Sequence, residues 1–210
     1  LLKMIKRNSI IIIILFHVQL FGGIQAGKSL LLPGWGEQSL GYNEMSKKFM
    51  WAEASIWVSF LLSNQLENSY KNTYENYSVI NADVNWSGKN NLYAAHVGNY
   101  PSMNKYNETM VWLYGDDVKV YDSGKGYEWQ WCLDDDNCSD EENAKINKYD
   151  RWRFKSRNYE EIKNFSIAAL LVNRIISIFN VLRLERKNKI SSNFSQYLDE
   201  SFQLKIFYHF

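Results

Sequence analysis

The sequence contains few of the residues that usually carry catalysis or bind metals. Only three of its 210 residues are histidine, two are cysteine and two are proline. It has no nucleophile elbow, phosphate-binding loop or zinc-protease motif, so we expect no catalytic residue, metal site or cofactor. The formal net charge of +1 provides no basic face for nucleic acid. The sequence therefore predicts a protein that is not an enzyme.

An acidic run over residues 134–142 invites a calcium interpretation. An EF-hand loop needs glycine at its sixth position and a closing glutamate at its twelfth. The run lacks that glycine and has Lys145 or Ile146 where the glutamate belongs. We therefore interpret it as an exposed loop.

Residues 4–26 have the parts of an export signal. A basic pair precedes an apolar segment over residues 10–21, and Ala26 closes a usable cleavage site. We expect the mature chain to begin near Gly27 and to reside in a bacterial cell envelope, in either the inner or the outer membrane.

The two cysteines, Cys132 and Cys138, are close in the sequence. In an oxidising envelope, such a pair is expected to form a disulfide that closes a small loop. Two free thiols are the alternative, which is favoured if this segment faces the cytoplasm.

A segment rich in proline and glycine precedes the first long helix. The residues of this segment break a helix and predict a tight turn. The helix should begin near Asn43 or Ser46 and continue to about Ile80, because it is apolar at first and then carries tyrosines at helical spacing. The predicted turn residues are Pro33, Gly34, Trp35, Gly36 and Gly41.

A second long helix should begin near Asp140 or Asp150 and contain an apolar run over residues 165–182. That run has ~18 residues, close to the ~20 needed to cross a bilayer. The apolar part of the first helix, residues 49–62, has only ~14 residues and is marginal by the same measure.

Each apolar segment contains one charged residue, Glu53 in the first and Arg174 in the second. In an antiparallel hairpin the two lie at similar depth, and pairing would offset the cost of burying either charge alone. We favour a structural ion pair over a polar path through a membrane bundle. Small and polar residues that let helices approach closely form a stripe on each segment, namely Ser55 and Ser59 on the first and Asn173 and Ser177 on the second.

Two patterns predict β-structure. Residues 118–121 and 127–131 alternate around a glycine-containing loop, which predicts a β-hairpin. Residues 202–210 alternate strictly, which predicts a C-terminal strand that packs on this hairpin or is added to another envelope protein. A single-chain barrel is excluded, because it needs at least ~8 strands.

The predicted fold class is therefore mainly α. It consists of a long antiparallel two-helix hairpin over residues 27–190, with a small α+β insert over 81–149. A tail that contains the C-terminal strand follows over 191–210, and the signal peptide over 1–26 precedes the hairpin.

A resemblance rests on two motifs. Residues 29–38 have the sequence Ser-Leu-Leu-Leu-Pro-Gly-Trp-Gly-Glu-Gln and precede Gly41 and an apolar helix. The second apolar segment contains Asn-Arg-Ile-Ile-Ser over residues 173–177. This combination resembles a family of small, uncharacterised bacterial cell-envelope proteins. Their hallmarks are a Pro-Gly-x-Gly-Gln-type turn soon after a signal peptide, a hydrophobic helix, and a second hydrophobic helix with an Asn-Arg/His-x-x-Ser core.

The resemblance covers about residues 29–63 and 150–185. This chain departs from the commonest pattern because Glu37 stands where glutamine is usual. The resemblance implies membrane association, and it implies no known reaction and no catalytic residues.

These observations predict a membrane-associated envelope protein with a structural or assembly role. Its expected partners are membrane lipid and, through the C-terminal strand, other envelope proteins. The alternative is a soluble periplasmic binding module whose two apolar segments form an ordinary helical core. Its aromatic-lined site would use Trp86, Trp112, Trp129 or Trp131.

Overall fold

The computed structural model describes residues 23–198 and is built from helices in this range. Side chains are described as far as residue 189. The helices are α1 (Ile24–Leu31), α2 (Trp35–Ser39), α3 (Asn43–Ala82), α4 (Asn91–Asn99), α5 (Met103–Tyr114) and α6 (Asp140–Leu198).

The two predicted long helices are confirmed as α3 and α6. The first turn of α6 carries three acidic residues, which favour a helix N-terminus because of the helix dipole. Ser102 caps α5, since its hydroxyl accepts a hydrogen bond from the Lys105 amide at 3.0 Å. Asn90 caps α4 in the same way by accepting from the Tyr93 amide.

The chain divides into two compact units. The described part of unit 1 consists of residues 23–59 and 165–198, and unit 2 consists of residues 60–164. The boundaries lie within α3 and α6, rather than at the ends of the predicted insert over 81–149. Each long helix therefore contributes to two different environments.

Unit 2 has an aromatic core. Tyr149 is fully buried and donates its hydroxyl to the Ala94 carbonyl oxygen at 2.9 Å. Burial raises the pKa of the Tyr149 hydroxyl far above its usual value. The other aromatic residues buried in this core are Tyr74, Tyr93, Tyr106, Trp129 and Trp131.

The predicted β-hairpin over 118–131 is wrong, because the described residues contain no strand. The single bridge in this region joins Ser102 to Gln130. Trp129 and Trp131 alternate because an extended segment inserts both rings between helices, where their indole N–H groups donate to carbonyl oxygens. The fold is therefore helical without the expected sheet, and the predicted strand over 202–210 lies outside the described residues.

Candidate functional site

The predicted glycine motif forms the turn between α1 and α2. Gly34 has φ +95°, a conformation that glycine adopts without strain. Gly36 has the opposite constraint, since a Cβ there would lie less than 3.0 Å from the Gln25 carbonyl oxygen, Ser29 Oγ and Val181 Cγ2. The motif thus brings α1, α2 and α6 into close contact. Pro33 is buried in this turn, whereas Trp35 is exposed.

Gly41 differs from the other turn glycines. It has φ +85° and open space where a Cβ would be. It follows the last turn of α2 and precedes the start of α3 at Asn43. Its role is therefore conformational, and it makes no close packing contact.

Glu37 lies at the centre of this contact and is fully buried. Ser29 Oγ donates to its carboxylate at 2.9 Å, and Ser177 Oγ lies 3.0 Å from both carboxylate oxygens. Asn180 Nδ2 donates at 3.1 Å. Sequence analysis noted Glu37 only as a departure from the usual glutamine and did not identify it as a site residue.

The two serines around Glu37 are themselves held by the turn. The Gly36 amide donates to Ser29 Oγ at 3.0 Å, and the Gly34 amide donates to Ser177 Oγ at 3.1 Å. Each hydroxyl accepts one backbone hydrogen bond and donates one to the carboxylate. We call Glu37, Ser29, Ser177 and Asn180 the Glu37 cradle.

The predicted charge pair is also present in unit 1. Arg174 Nη2 lies 2.5 Å from Glu53 Oε1, and the Glu53 and Arg174 side chains are 6% and 22% exposed. Asn173 Nδ2 donates to the other carboxylate oxygen at 3.0 Å, and Trp57 Nε1 donates to Oε1 at 3.3 Å. The Glu53 carboxylate therefore pairs with the Arg174 guanidinium and accepts hydrogen bonds from two further side chains.

The predicted packing stripe lies partly inside unit 1. Ser59 accepts a hydrogen bond from Ser166 at 3.3 Å, while Asn173 and Ser177 contact the two glutamates described above. Ser55 is exposed and bonds only to the Trp51 carbonyl oxygen four residues earlier. The helix-facing stripe of α3 therefore passes through Glu53 and Ser59.

Part of the outer surface of unit 1 is apolar. Phe165 is 75% exposed and Phe179 is 68% exposed, although both are large hydrophobic residues. α6 is the one helix in the described residues that is long and apolar enough to cross a membrane, and 22% of its most apolar 18-residue stretch is buried. We call the exposed side chains Trp51, Trp57, Val58, Phe165, Ile167, Leu171, Val172, Ile175, Ile176 and Phe179 the apolar belt.

The cysteines of unit 2 form a disulfide between Cys132 and Cys138. The loop they close includes Asp135, whose carboxylate accepts from Ser102, the cap of α5. Asp136 in the same loop pairs with Lys105. The acidic loop thus holds the start of α5, and the described residues contain no group of three His, Cys, Asp or Glu side chains that could hold a metal ion.

A repeated contact joins α3 and α6 within unit 2. Tyr77 meets Trp152 at a centroid distance of 5.2 Å, and Lys148 Nζ lies 5.2 Å from both ring centroids. Tyr70, seven residues before Tyr77, stacks on Tyr159, seven residues after Trp152, with the ring centroids 5.8 Å apart. Lys155 Nζ then lies 5.2 Å from the Tyr70 ring.

The four tryptophans proposed for a binding site have different surroundings. Trp129 and Trp131 are buried in the core, whereas Trp112 is 82% exposed. Trp86 donates to Ser78 Oγ and the Glu75 carbonyl oxygen. The surroundings of Trp86, Trp129 and Trp131 therefore fit structural roles.

His96 is the one histidine in the described residues, and it lies beside the aromatic core. Its Nδ1 is 2.7 Å from the Tyr121 hydroxyl, and its ring stacks on Tyr106. Partial burial lowers the pKa of His96, and burial raises the pKa of Tyr121 to about 12.

The predicted cleavage position falls within α1. Ala26 is fully buried, and the Gln25 carbonyl oxygen packs where a Cβ of Gly36 would be. The other residues of the predicted signal, up to residue 22, lie outside the described residues. A cut after Ala26 would remove part of the contact between α1 and α2.

No protein-family model matches this chain, and neither a curated protein nor a solved structure shows significant similarity to it.

Proposed function

We propose that this chain is a membrane-associated protein of the cell envelope with a structural or assembly role, and that unit 1 is inserted in the bilayer. The observation that carries the proposal is the distribution of polarity in unit 1. Its buried side chains include Glu37, Glu53 and Asn173, while the middle of its surface carries the apolar belt. The proposal assigns no reaction to the chain.

Physical chemistry favours lipid as the solvent of this surface. Soluble monomers rarely expose contiguous apolar patches larger than a few hundred Å², because each Å² of apolar surface in water costs about 25 cal/mol. In a bilayer the belt has no such cost, and polar groups must instead find partners inside the protein. The serine, asparagine and glutamate contacts within unit 1 meet this second requirement.

Unit 2 supports an oxidising location. Disulfides persist in exported proteins and are rare in reducing cytoplasm. The bond between Cys132 and Cys138 therefore favours a position of unit 2 outside the cytoplasm. This agrees with the export signal expected from the sequence.

Membrane extraction with alkaline carbonate tests the proposal. We expect the full chain to remain in the membrane pellet. Leu171, which is 59% exposed in the belt, should be changed to lysine, because a charge at the centre of a spanning helix costs about 2.5–3.5 kcal/mol. Leu171→Lys should lower the carbonate-resistant fraction.

Leu133→Lys is the matched control, since Leu133 is 99% exposed in the disulfide loop of unit 2. We expect this variant to fractionate like the unchanged protein. Recovery of the unchanged protein in the soluble fraction would reject insertion. Equal behaviour of both lysine variants would show that the belt does not contact lipid.

A further inference from the structure

The exposed cations of unit 1 are concentrated at one end. Over residues 49–59 of α3 and 165–182 of α6, the charged residues are Glu53 and Arg174, which pair with each other. The exposed cations in the described part of unit 1 lie outside these two stretches, and we call them the basic rim: Lys47, Lys48, Arg183, Arg186, Lys187 and Lys189. We propose that the basic rim binds the phosphate groups of anionic phospholipid at the surface of the bilayer, a proposal that rests on the insertion of unit 1.

Contacts within unit 1 bring the cations of α3 and α6 to the same end. Tyr42, which precedes α3, donates its hydroxyl to Asn188 at 3.0 Å. Asn180 Nδ2 lies 3.3 Å from Met45 Sδ. The start of α3 is therefore level with residues 180–188 of α6, and the six cations form one surface rather than two.

The carboxylates at this end do not balance the cations. Glu44 is exposed and pairs with Lys47 at 2.8 Å, while Glu185 is half-buried. Among the described residues, no ion pair joins a carboxylate to Lys48, Lys187 or either arginine of the rim. The net charge of +1 conceals this excess, because unit 2 contains more carboxylates than cations.

The helix dipole does not account for the basic turns of α6. A helix C-terminus favours cations only within its last turn. α6 ends at Leu198, which is about two and a half turns after Lys189. The rim cations of α6 therefore lie within the helix, and another source of negative charge is needed to favour them there.

The position of the basic rim matches the depth of phospholipid headgroups. The apolar stretch over residues 165–182 is about 27 Å long at 1.5 Å per residue, close to the ~30 Å of the hydrocarbon core, and the headgroup layer adds about 5–7 Å on each side. Arg183 lies about 6 Å along α6 from Phe179, the last side chain of the apolar belt on that helix. Lys48 lies about 5 Å along α3 from Trp51, the first belt side chain there. The rim therefore begins where the hydrocarbon ends.

Lysine and arginine suit this boundary chemically. Their aliphatic stems pack along apolar surface while the charged groups reach outward, and the arginine guanidinium can bind a phosphate through two parallel hydrogen bonds. Clusters of about four to eight such residues beside a spanning helix are typical of binding to anionic lipid. Because the excess charge is positive, the basic rim should favour a headgroup with net negative charge over a zwitterionic one.

Native mass spectrometry of the full-length chain in detergent tests the proposal. The probes are phosphatidylglycerol, which is anionic, and phosphatidylcholine, which also contains a phosphate but has no net charge. We expect the chain to retain more phosphatidylglycerol, and we expect the difference to shrink at high ammonium acetate, because salt screens exposed charges. Equal retention of the two lipids, or a preference that salt leaves unchanged, would overturn the proposal.

A triple variant locates the binding on the rim. It removes three charges from α6 through the changes Arg183→Gln, Arg186→Gln and Lys187→Gln, and it should lower the affinity for phosphatidylglycerol by about fivefold for each charge removed. The matched control removes the same three charges from exposed positions of unit 2, through Lys119→Gln, Arg151→Gln and Arg157→Gln. Equal losses in both variants would show a general effect of charge and would reject the rim as the site. The comparisons of lipid and salt use the unchanged chain, so they decide the proposal even if a variant does not fold.

Two further measurements separate the proposal from its neighbours. Inorganic phosphate should not displace phosphatidylglycerol, and displacement would identify soluble phosphate as the occupant. In carbonate extraction, the rim variant should remain in the membrane pellet, because the apolar belt is intact. Recovery of the unchanged chain in the soluble fraction would reject insertion, whereas an inserted chain with no preference for phosphatidylglycerol would reject the role of the basic rim alone.

Discussion

The two units of this chain have interiors of opposite character. The buried side chains of unit 1 are more often polar than apolar, and its surface carries the apolar belt. Unit 2 buries tyrosine, tryptophan and aliphatic side chains and is closed by a disulfide. The same two helices, α3 and α6, supply residues to both interiors. The difference shows that one helix can border two interiors of opposite character along its length, which overall composition does not reveal.

The units also differ in what fixes their side chains. In unit 1, hydrogen bonds and one ion pair, which have strict geometry, fix the orientation of the buried side chains. In unit 2, the orientation of the buried side chains is fixed mainly by ring packing, in which centroids lie about 5–6 Å apart in edge-to-face or stacked pairs. Single substitutions should therefore damage unit 1 through unpaired polar groups and unit 2 through lost packing or cross-linking.

The largest effect should come from separating Glu53 and Arg174. Glu53→Gln or Arg174→Met alone leaves a buried group without its partner, which typically costs about 3–5 kcal/mol. The double variant should recover much of this loss, because neither charge remains. Thermal unfolding of the four proteins in detergent measures the cycle. Additive losses would mean that the pair has no energetic coupling.

The second prediction concerns the close approach of α1, α2 and α6. Gly36→Ala places a Cβ against a backbone carbonyl that cannot move freely, and we expect a loss of about 1–3 kcal/mol in the free energy of unfolding. Gly27→Ala is the control, because nothing lies within 4 Å of its Cβ position in α1. That change should be neutral or slightly stabilising, since alanine favours a helix. Similar losses in both variants would contradict the packing described for the turn.

The third prediction concerns the disulfide of unit 2. Replacing both Cys132 and Cys138 by serine should cost about 2 kcal/mol, the value expected for opening a short loop. Hydrogen exchange should rise in the loop and at the start of α5, where Asp135 and Asp136 make their contacts. Peptides of unit 1 should be unchanged. Increased exchange in both units would show that their interiors are not independent.

The smallest effect should be a pH dependence that belongs to unit 2. The pKa of His96 is lowered by burial, so the unfolded chain binds a proton more readily than the folded chain. Stability should therefore fall as the pH decreases from about 7 through the ordinary histidine pKa of about 6.5. The pKa of Glu75 is raised by burial, which acts in the opposite direction in more acidic solution. Denaturant unfolding of the unchanged protein and His96→Gln isolates the histidine contribution, and identical pH profiles would contradict it.

The long helices could be predicted because their apolar and aromatic residues recur at helical spacing. The pairing of Glu53 with Arg174 could also be predicted from the sequence, because two isolated opposite charges at similar depth have few other partners available. α4 was missed because it is short and its start depends on one capping residue, Asn90. Its nine residues have no extended apolar period.

The β-hairpin prediction failed for a physical reason. Alternation indicates that successive side chains point in opposite directions, but it does not show that a neighbouring strand is present. Trp129 and Trp131 alternate because both insert into a core made of helices. Their backbone has one bridge, between Gln130 and Ser102, and otherwise no strand partner.

The Glu37 cradle could not be predicted because its members come from distant segments. Ser29 and Glu37 are close in sequence, but Ser177 and Asn180 are about 140 positions away. The available signal was Glu37 itself, an acidic residue where the resemblance noted in the sequence leads one to expect glutamine. The glycines beside it indicated a turn, but they did not show which helix the turn would contact.

The repeated contact between α3 and α6 in unit 2 determines which deletions in these two helices the unit can tolerate. Tyr77 with Trp152 and Tyr70 with Tyr159 are separated by seven residues on both antiparallel helices. Seven residues are close to two full helical turns, so residues that far apart present nearly the same face. Removal of seven residues from each helix would preserve the facing partners. Removal of two residues from α3 alone would rotate Tyr70 and Tyr77 away from their partners on α6. Lys148 and Lys155 would then lie over different neighbours.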